Sequence, residues 1–129
     1  MMEIAIGNKT IASVDLDHGE TAWRIDDAVF VLEYLKDKDQ VVLGGDILTE
    51  ELLHNYDNWY YNLDTDQNFQ DNIKHSIQRG LDYITNYIAR NGTAFYVVLV
   101  TQSQFGQKML LWRQQTACER QRTVLSPEG

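Results

Sequence analysis

The side chains of this sequence that could take part in chemistry are aspartates, three histidines and one cysteine, and none of them stands in a recognisable catalytic pattern. Asp15 with Asp17, and Asp64 with Asp66, have the spacing that opens a calcium-binding loop. Both segments lack the central glycine and the glutamate at the twelfth position that such a loop uses. We therefore predict that neither pair binds a metal, and that the second pair caps a helix.

The remaining reactive residue types are scattered along the chain. His18, His54 and His75 have no second histidine or cysteine at a zinc-ligand spacing. Cys118 has no histidine near it in sequence, and no serine lies in a nucleophile motif. A glycine-rich phosphate loop is also missing from the sequence. The sequence therefore predicts no catalytic residue, no metal site and no cofactor.

Acidic and aromatic residues converge on one stretch, between Asp46 and Asp71. It contains seven acidic residues and no lysine or arginine, and the segment YDNWYY at Tyr56–Tyr61 adds four aromatic rings. Trp and Tyr are typical of the residues that anchor protein–protein contacts. A negative field attracts basic partners and repels nucleic acid. The alternative interpretation is that the acids only keep a small protein soluble.

An apolar run, VVLGGDIL, precedes this stretch at Val41–Leu48. It predicts a short central strand, Val41–Leu43, that ends in a tight turn at Gly44-Gly45. Glycines allow a ligand to approach the backbone closely. A small-ligand or enzymatic site near this turn is therefore an alternative function, and its polar contacts would be Asp46, Asp57 and Tyr60.

The size and charge of the chain limit the remaining possibilities. With 129 residues it is expected to form one domain with its own core. The net charge of −8 is uneven, because residues 1–71 contain 16 acidic and 4 basic residues, whereas residues 72–129 contain 3 and 7. A single cysteine indicates a reducing compartment. We expect neither a membrane span nor a signal peptide.

Two helices are predicted from apolar spacing. The first runs over 22–36, with Thr21 as its cap and with a buried face formed by Ile25, Ala28, Val29, Leu32 and Leu35. The second runs from about 66 to 90, between caps at Asp64–Asp66 and the helix-ending pair Asn91-Gly92. Its buried face comprises Phe69, Ile73, Ile77, Leu81, Ile84 and Ile88.

Strands are predicted on both sides of these helices. Glu3–Ile6 and Thr10–Leu16 could form two short strands around a turn, while Tyr56–Leu63 and Ala94–Thr101 are rich in strand formers. The segment Thr49–Asn55 could be a short helix or a loop. In a strand, Trp59 and Tyr61 would share one face, more often a core face, and Tyr60 would take the other.

The order of elements predicts an α+β fold. We expect a single domain with a small, mostly antiparallel sheet packed against two main helices, at about 22–36 and 66–90. Residues 1–101 are assigned to this domain. Residues 102–129 are assigned to a C-terminal extension, part of which we expect to be mobile.

The series of Trp23, the helix DDAVFVLEYL, the segment LGGD and the segment YDNWYY ahead of a long helix resembles a family of predicted immunity proteins. These belong to bacterial polymorphic-toxin and contact-dependent growth inhibition systems. The resemblance covers residues 23–100. It implies a cytoplasmic, non-enzymatic protein that binds the C-terminal domain of a cognate toxin and blocks its active site or an exosite.

An acidic and aromatic surface would suit a basic toxin, such as a nuclease, through charge steering and aromatic anchors. Neither nucleic acid nor a membrane is an expected partner. An adaptor subunit that binds some other basic protein is a further alternative, which the neighbouring gene would distinguish. The residues expected to bind the toxin are Asp46, Glu50, Glu51, Asp57, Trp59, Tyr60, Asp64 and Asp66.

Overall fold

The computed structural model describes residues 3–6, 8–17 and 19–104 of the chain. Most of the predicted C-terminal extension, 105–129, lies outside the described residues. Within these residues, seven strands and two helices follow one another in the order β1 (Glu3–Ile6), β2 (Lys9–Ala12), β3 (Val14–Asp15), β4 (Thr21–Arg24), α1 (Ile25–Tyr34), β5 (Gln40–Thr49), β6 (His54–Tyr60), α2 (Phe69–Asn91) and β7 (Phe95–Ser103). A 3₁₀ turn at Leu35–Asp37 extends α1.

The strands form two antiparallel sheets. β1 and β2 make a hairpin, and the other five strands form a sheet in the order β3-β4-β7-β5-β6. The strand β5 therefore lies inside the sheet, between β7 and β6, and β6 is an edge strand. The prediction of an α+β fold, with two helices on a mostly antiparallel sheet, is confirmed.

Both helices pack against one face of the five-stranded sheet. Their buried residues share one core with alternate residues of the strands, among them Ile47, Trp59 and Val97. The residues next to these, Leu48 and Val98, belong to a separate small cluster with Ala22. Because successive strand residues face opposite sides, the small cluster lies on the face of the sheet opposite α1 and α2.

The first helix begins later than the sequence pattern predicts. Ala22 and Trp23 are strand residues paired with Val98 and Val97, and Arg24 precedes the first turn of α1 without a side-chain cap. Thr21 is therefore not the cap. Pairing with β7 buries Ala22 and Trp23 on opposite faces of the sheet, and this tertiary gain outweighs their helical spacing.

The second helix is close to its prediction at both ends. Asn68, rather than Asp64–Asp66, caps it, and the Asn68 side chain accepts a hydrogen bond from the Asp71 N–H at 2.8 Å. Asp64 instead shapes the preceding turn, because its carboxylate accepts the Asp66 N–H at 2.9 Å. Gly92, with φ 86°, ends the helix as predicted.

The predicted turn at Gly44-Gly45 is wrong. β5 continues through both glycines to Thr49, and its backbone pairs with β7 on one side and β6 on the other. The reversal comes after Thr49, whose carbonyl accepts the Leu52 N–H at 2.8 Å. Of the two alternatives for Thr49–Asn55, the loop is correct for residues 50–53 only, because Thr49 ends β5 and His54 begins β6.

Candidate protein-interaction surface

The two glycines of β5 provide space for Trp59, Gly45 for its indole and Gly44 for its backbone carbonyl. Gly44 and Gly45 are paired with Tyr60 and Trp59 across β6. A Cβ atom on Gly45 would collide with the six-membered ring of Trp59, and one on Gly44, whose φ is 155°, would collide with the Trp59 carbonyl. Trp59 is only 4% exposed. The LGGD and YDNWYY segments are thus two halves of one packing arrangement.

Aromatic rings continue from Trp59 along α2. Trp59 stacks on Tyr83 at 5.0 Å between ring centroids, Tyr83 lies 6.0 Å from Tyr87, and Tyr87 contacts Phe95 edge-on at 5.2 Å. Contacts of this geometry stabilise a fold beyond the area that they bury. These rings attach β6, which has no second strand neighbour among the described residues, to the helix.

Hydrogen bonds from β6 to Tyr87 reinforce this attachment. The Tyr87 hydroxyl donates to the Asp57 carboxylate at 2.7 Å and accepts from the Asn55 amide at 3.0 Å. Asp57 is exposed, but its hydrogen bond ties it to α2. The structure therefore separates Asp57 from Asp46 and Tyr60, with which the ligand-site alternative grouped it.

A second attachment is formed by the buried Asn72 of α2. Its amide oxygen accepts the Tyr61 hydroxyl at 2.7 Å and the Asp64 N–H at 2.9 Å. Its amide nitrogen donates to the carbonyls of Asp64 and Asn68, at 3.0 and 3.1 Å. One side chain thus holds the chain that leaves β6, and Asp64 takes part in this anchor.

Three tyrosines along this contact have a pKa above the ordinary value of 10.0: Tyr61, Tyr83 and Tyr87. Burial is the largest cause of each raised pKa. The hydrogen bond to Asp57 also raises the pKa of Tyr87, and the negative charge of Asp57 raises that of Tyr83.

These raised pKa values predict a loss of stability in alkali. The folded chain holds the phenolic protons more tightly than the unfolded chain, so their contribution is complete below about pH 10 and is lost as the pH rises through the folded-state pKa values. We expect the urea midpoint of unfolding to fall as the pH rises above about 10. In Tyr87→Phe it should fall less steeply, because the side chain at position 87 no longer has a phenolic proton to lose. Equal slopes for wild type and variant would contradict the assignment to Tyr87.

The outer side of β6 exposes a group of large apolar side chains. Of the five such side chains exposed in the described part of the chain, three lie within eight residues: Leu53 at 64%, Tyr56 at 90% and Tyr60 at 68%. Exposed aromatic residues in a group are uncommon on a monomer and typical of a binding surface. The sequence prediction included Tyr60 but missed Leu53 and Tyr56.

The backbone around Tyr56 is strained. The pairing of β5 with β6 shifts register between Asp46 and Leu48, and Tyr56 adopts φ 69°. A bulky residue in this region costs about 1–2 kcal/mol, and strained residues are often found at functional sites. The bulge holds the Tyr56 ring out in solvent.

The predicted site residues fall into two groups. In the first group, Glu50 and Glu51 are exposed in the turn before β6, and Asp66 is exposed in the loop after it. Asp46 also belongs to this group, and it is partly buried on β5. Trp59 lies in the core, while Asp57 and Asp64 form the hydrogen bonds described above. We use the name β6 surface for the side chains that remain available on this side: Asp46, Glu50, Glu51, Leu53, Tyr56 and Tyr60.

The described residues also form concavities away from the β6 surface, one of them, of about 400 Å³, lined by His75, Arg79 and Asp82. A cavity of about 580 Å³ beside the N-terminal hairpin is lined mainly by apolar residues, with Glu20 as its one acidic residue. Another, of about 450 Å³, brings Asp57, Tyr87 and Arg90 together along α2. In the described residues, no group of three or more His, Cys, Asp or Glu side chains could hold a metal ion. No helix in the described ranges has the length and apolar character needed to cross a membrane.

Comparison with known proteins gives one match. The family model of Immunity protein 40, Imm40, matches residues 11–101, which include α1, α2, the four strands β3 to β6 and parts of β2 and β7. No curated protein and no solved structure matches the chain. The matched region contains the glycine pair, Trp59 and the whole β6 surface, and the chain belongs to the Immunity protein 40 family.

Proposed function

We propose that this protein neutralises a cognate toxin by binding the toxin's C-terminal domain directly in the bacterial cytoplasm, without catalysis. The observation that carries the proposal is the group of exposed Leu53, Tyr56 and Tyr60 side chains on one edge of the sheet. Membership of an immunity protein family supplies the kind of partner. The polymorphic-toxin and contact-dependent inhibition setting is part of the same proposal.

The charge around these side chains supports a basic partner. Asp46 lies in β5, Glu50 and Glu51 lie in the turn between β5 and β6, and no lysine or arginine occurs between Asp46 and Asp71. Complementary charge accelerates association, whereas buried aromatic anchors contribute most of the affinity. A nuclease domain, which must be basic where it holds phosphates, is a toxin that this surface would suit.

Contact through side chains fits β6 better than addition of a strand to its edge. The Tyr60 carbonyl already accepts a hydrogen bond from Arg79, and the Asp57 N–H donates to the Asn55 side chain at 3.0 Å. The bulge at Tyr56 further interrupts the edge. Such features are those by which proteins prevent strand pairing at sheet edges.

The test is co-expression with the toxin domain encoded immediately upstream. We expect the wild-type protein to restore growth, and the double variant Tyr56→Ala/Tyr60→Ala to bind the toxin about 100-fold more weakly, as for the loss of two anchors. Phe30→Ala is the matched control, because Phe30 is 41% exposed but lies on α1. The midpoint of thermal unfolding should be nearly the same for the wild type, the double variant and Phe30→Ala.

Separate outcomes contradict separate parts of the proposal. If the neighbouring protein is not toxic, or the wild-type chain neither binds nor rescues, toxin neutralisation is wrong and an adaptor role gains support. If the double variant binds as well as the wild type, the β6 surface is not the contact. Association should also slow as salt rises, and a flat salt response would remove the electrostatic part.

A further inference from the structure

A shallow slot opens over Gly44, on the face of the sheet opposite α1 and α2. Gly44 is paired with Tyr60 on one side and with Val100 on the other. Directly paired residues of antiparallel strands project to the same face, so Tyr60 and Val100 form two walls with no side chain between them. Tyr60 is 68% exposed and Val100 46%. The slot has a volume of about 210 Å³, and its lining includes Asp46.

The Asp46 carboxylate gives this slot a negative charge. Asp46 follows Gly44 by two positions in β5, which places its side chain on the same face. It is partly buried, and no described residue forms an ion pair or a side-chain hydrogen bond with it. Arg24, on the same sheet, is instead ion-paired with Asp26 at 3.5 Å.

A partly buried carboxylate gains from a cationic partner that replaces the water it has lost. Tyr60 offers a ring face to such a cation, and Val100 offers an apolar wall to an alkyl stem. Sites for small metabolites have volumes of roughly 300–1,000 Å³. The 210 Å³ slot is smaller, and its size suits a single long side chain.

We propose that this slot receives one arginine side chain of the toxin domain, an inference that rests on the proposed function. The guanidinium would stack on Tyr60 and form two parallel hydrogen bonds with Asp46, while its alkyl stem lies along Val100. Arginine fits better than lysine, because its planar group can both stack and bind a carboxylate through two N–H donors. Within the β6 surface, the slot would be the element that selects the partner.

The first test measures affinity for an inactivated toxin domain. Asp46→Asn keeps the shape of the slot and removes its charge, and we expect binding about 10- to 100-fold weaker, as for the loss of a charge-assisted contact. Asp37→Asn is the matched control, because Asp37 is an exposed acid in the 3₁₀ turn, away from the β6 surface. Tyr60→Leu, which removes the ring and keeps an apolar wall, should weaken binding as well.

The second test requires no toxin. N-acetyl-arginine N-methylamide is titrated into the full chain and followed by amide NMR shifts, with the neutral citrulline analogue as its control. We expect shifts at Gly44, Asp46 and Val100, with a dissociation constant on the order of millimolar. We expect none with citrulline, and none with Asp46→Asn.

The outcomes distinguish this inference from the proposed function. If the toxin binds but Asp46→Asn binds equally well, or if the arginine probe shifts none of these amides, the slot proposal is wrong and toxin binding stands. If the probe binds and the toxin does not, the proposed function fails and the slot serves another partner. A change in oligomeric state or folding of Asp46→Asn, without an effect on the toxin, would assign the slot to this protein's own side chains and overturn the proposal.

Discussion

Replacing Gly45 by alanine is expected to destabilise the protein by about 2–3 kcal/mol, as an overpacked core does. The direction of this change in the free energy of unfolding is opposite to the one expected for an ordinary strand position. Alanine in the interior of a strand is ordinarily more favourable than glycine by roughly 0.5–1 kcal/mol. At Gly45, however, the added methyl group would collide with the Trp59 indole. The indole cannot easily move aside, because it is buried and stacks on Tyr83 at 5.0 Å between ring centroids.

A double-mutant cycle with Trp59→Ala isolates this contact. Trp59→Ala alone should cost about 3–5 kcal/mol, because it leaves a cavity in the core. In that background Gly45→Ala has no ring to meet, and we expect it to stabilise the protein by roughly 0.5–1 kcal/mol, as in an ordinary strand. The coupling energy, measured by urea unfolding, would then be about 3 kcal/mol. If the effects of the two single variants on the free energy of unfolding add up to that of the double variant, Gly45 does not make room for Trp59.

The glycine pair also marks the limit of local sequence reasoning. Two consecutive glycines after an apolar run predict a turn, because local rules weigh only the preferences of neighbouring residues. Gly45 lies in a strand because its cross-strand neighbour is Trp59, 14 residues later. The segments LGGD and YDNWYY, on which the family resemblance rests, thus owe their residue types to packing between two strands that are not adjacent in sequence.

The start of α1 was mispredicted for a related reason. Ala22 and Trp23 have helical spacing relative to Ile25, but they pair with β7, some 75 residues later in the chain. In contrast, the long apolar period of α2 and its Asn91-Gly92 end were sufficient to locate that helix, because both signals are local. The order of elements was sufficient to predict the fold class. The register in which the strands pair could be read only from the structure.

The candidate site was predictable in part. The alternation of strand residues indicated that Tyr60 would face away from Trp59 and Tyr61, and Tyr60 is indeed exposed. Tyr56 lies an even number of positions before Tyr60, so that in a strand both side chains face the same way. This spacing could have identified Tyr56 as a site residue. The separation of Asp57 from Asp46 was not predictable, because it depends on which side chains α2 presents to β6.

Replacing Asn72 by leucine is the second change for which we expect a large effect. Leucine has the same number and branching of side-chain heavy atoms but removes four hydrogen bonds, and it leaves the Asp64 N–H and the Tyr61 hydroxyl without the oxygen that accepts them. Because Asn72 is 3% exposed, water cannot easily replace that oxygen. Unpaired buried polar groups cost about 1–3 kcal/mol each. We expect a total loss of about 3 kcal/mol in the free energy of unfolding.

The effect of Asn72→Leu should also be local, since the lost bonds hold the segment that leaves β6. Hydrogen exchange is expected to accelerate at Tyr61 and Asp64 more than at Ile84, in the middle of α2. Asn86→Leu is the matched control: Asn86 is exposed on the same helix, and its change should stay within about 0.5 kcal/mol. A cost equal to that of the control would mean that the aromatic contacts of Trp59 and Tyr87 hold β6 in place without Asn72. A larger cost, with fast exchange confined to 61–64, would show that Asn72 fixes the end of the strand that presents Tyr60.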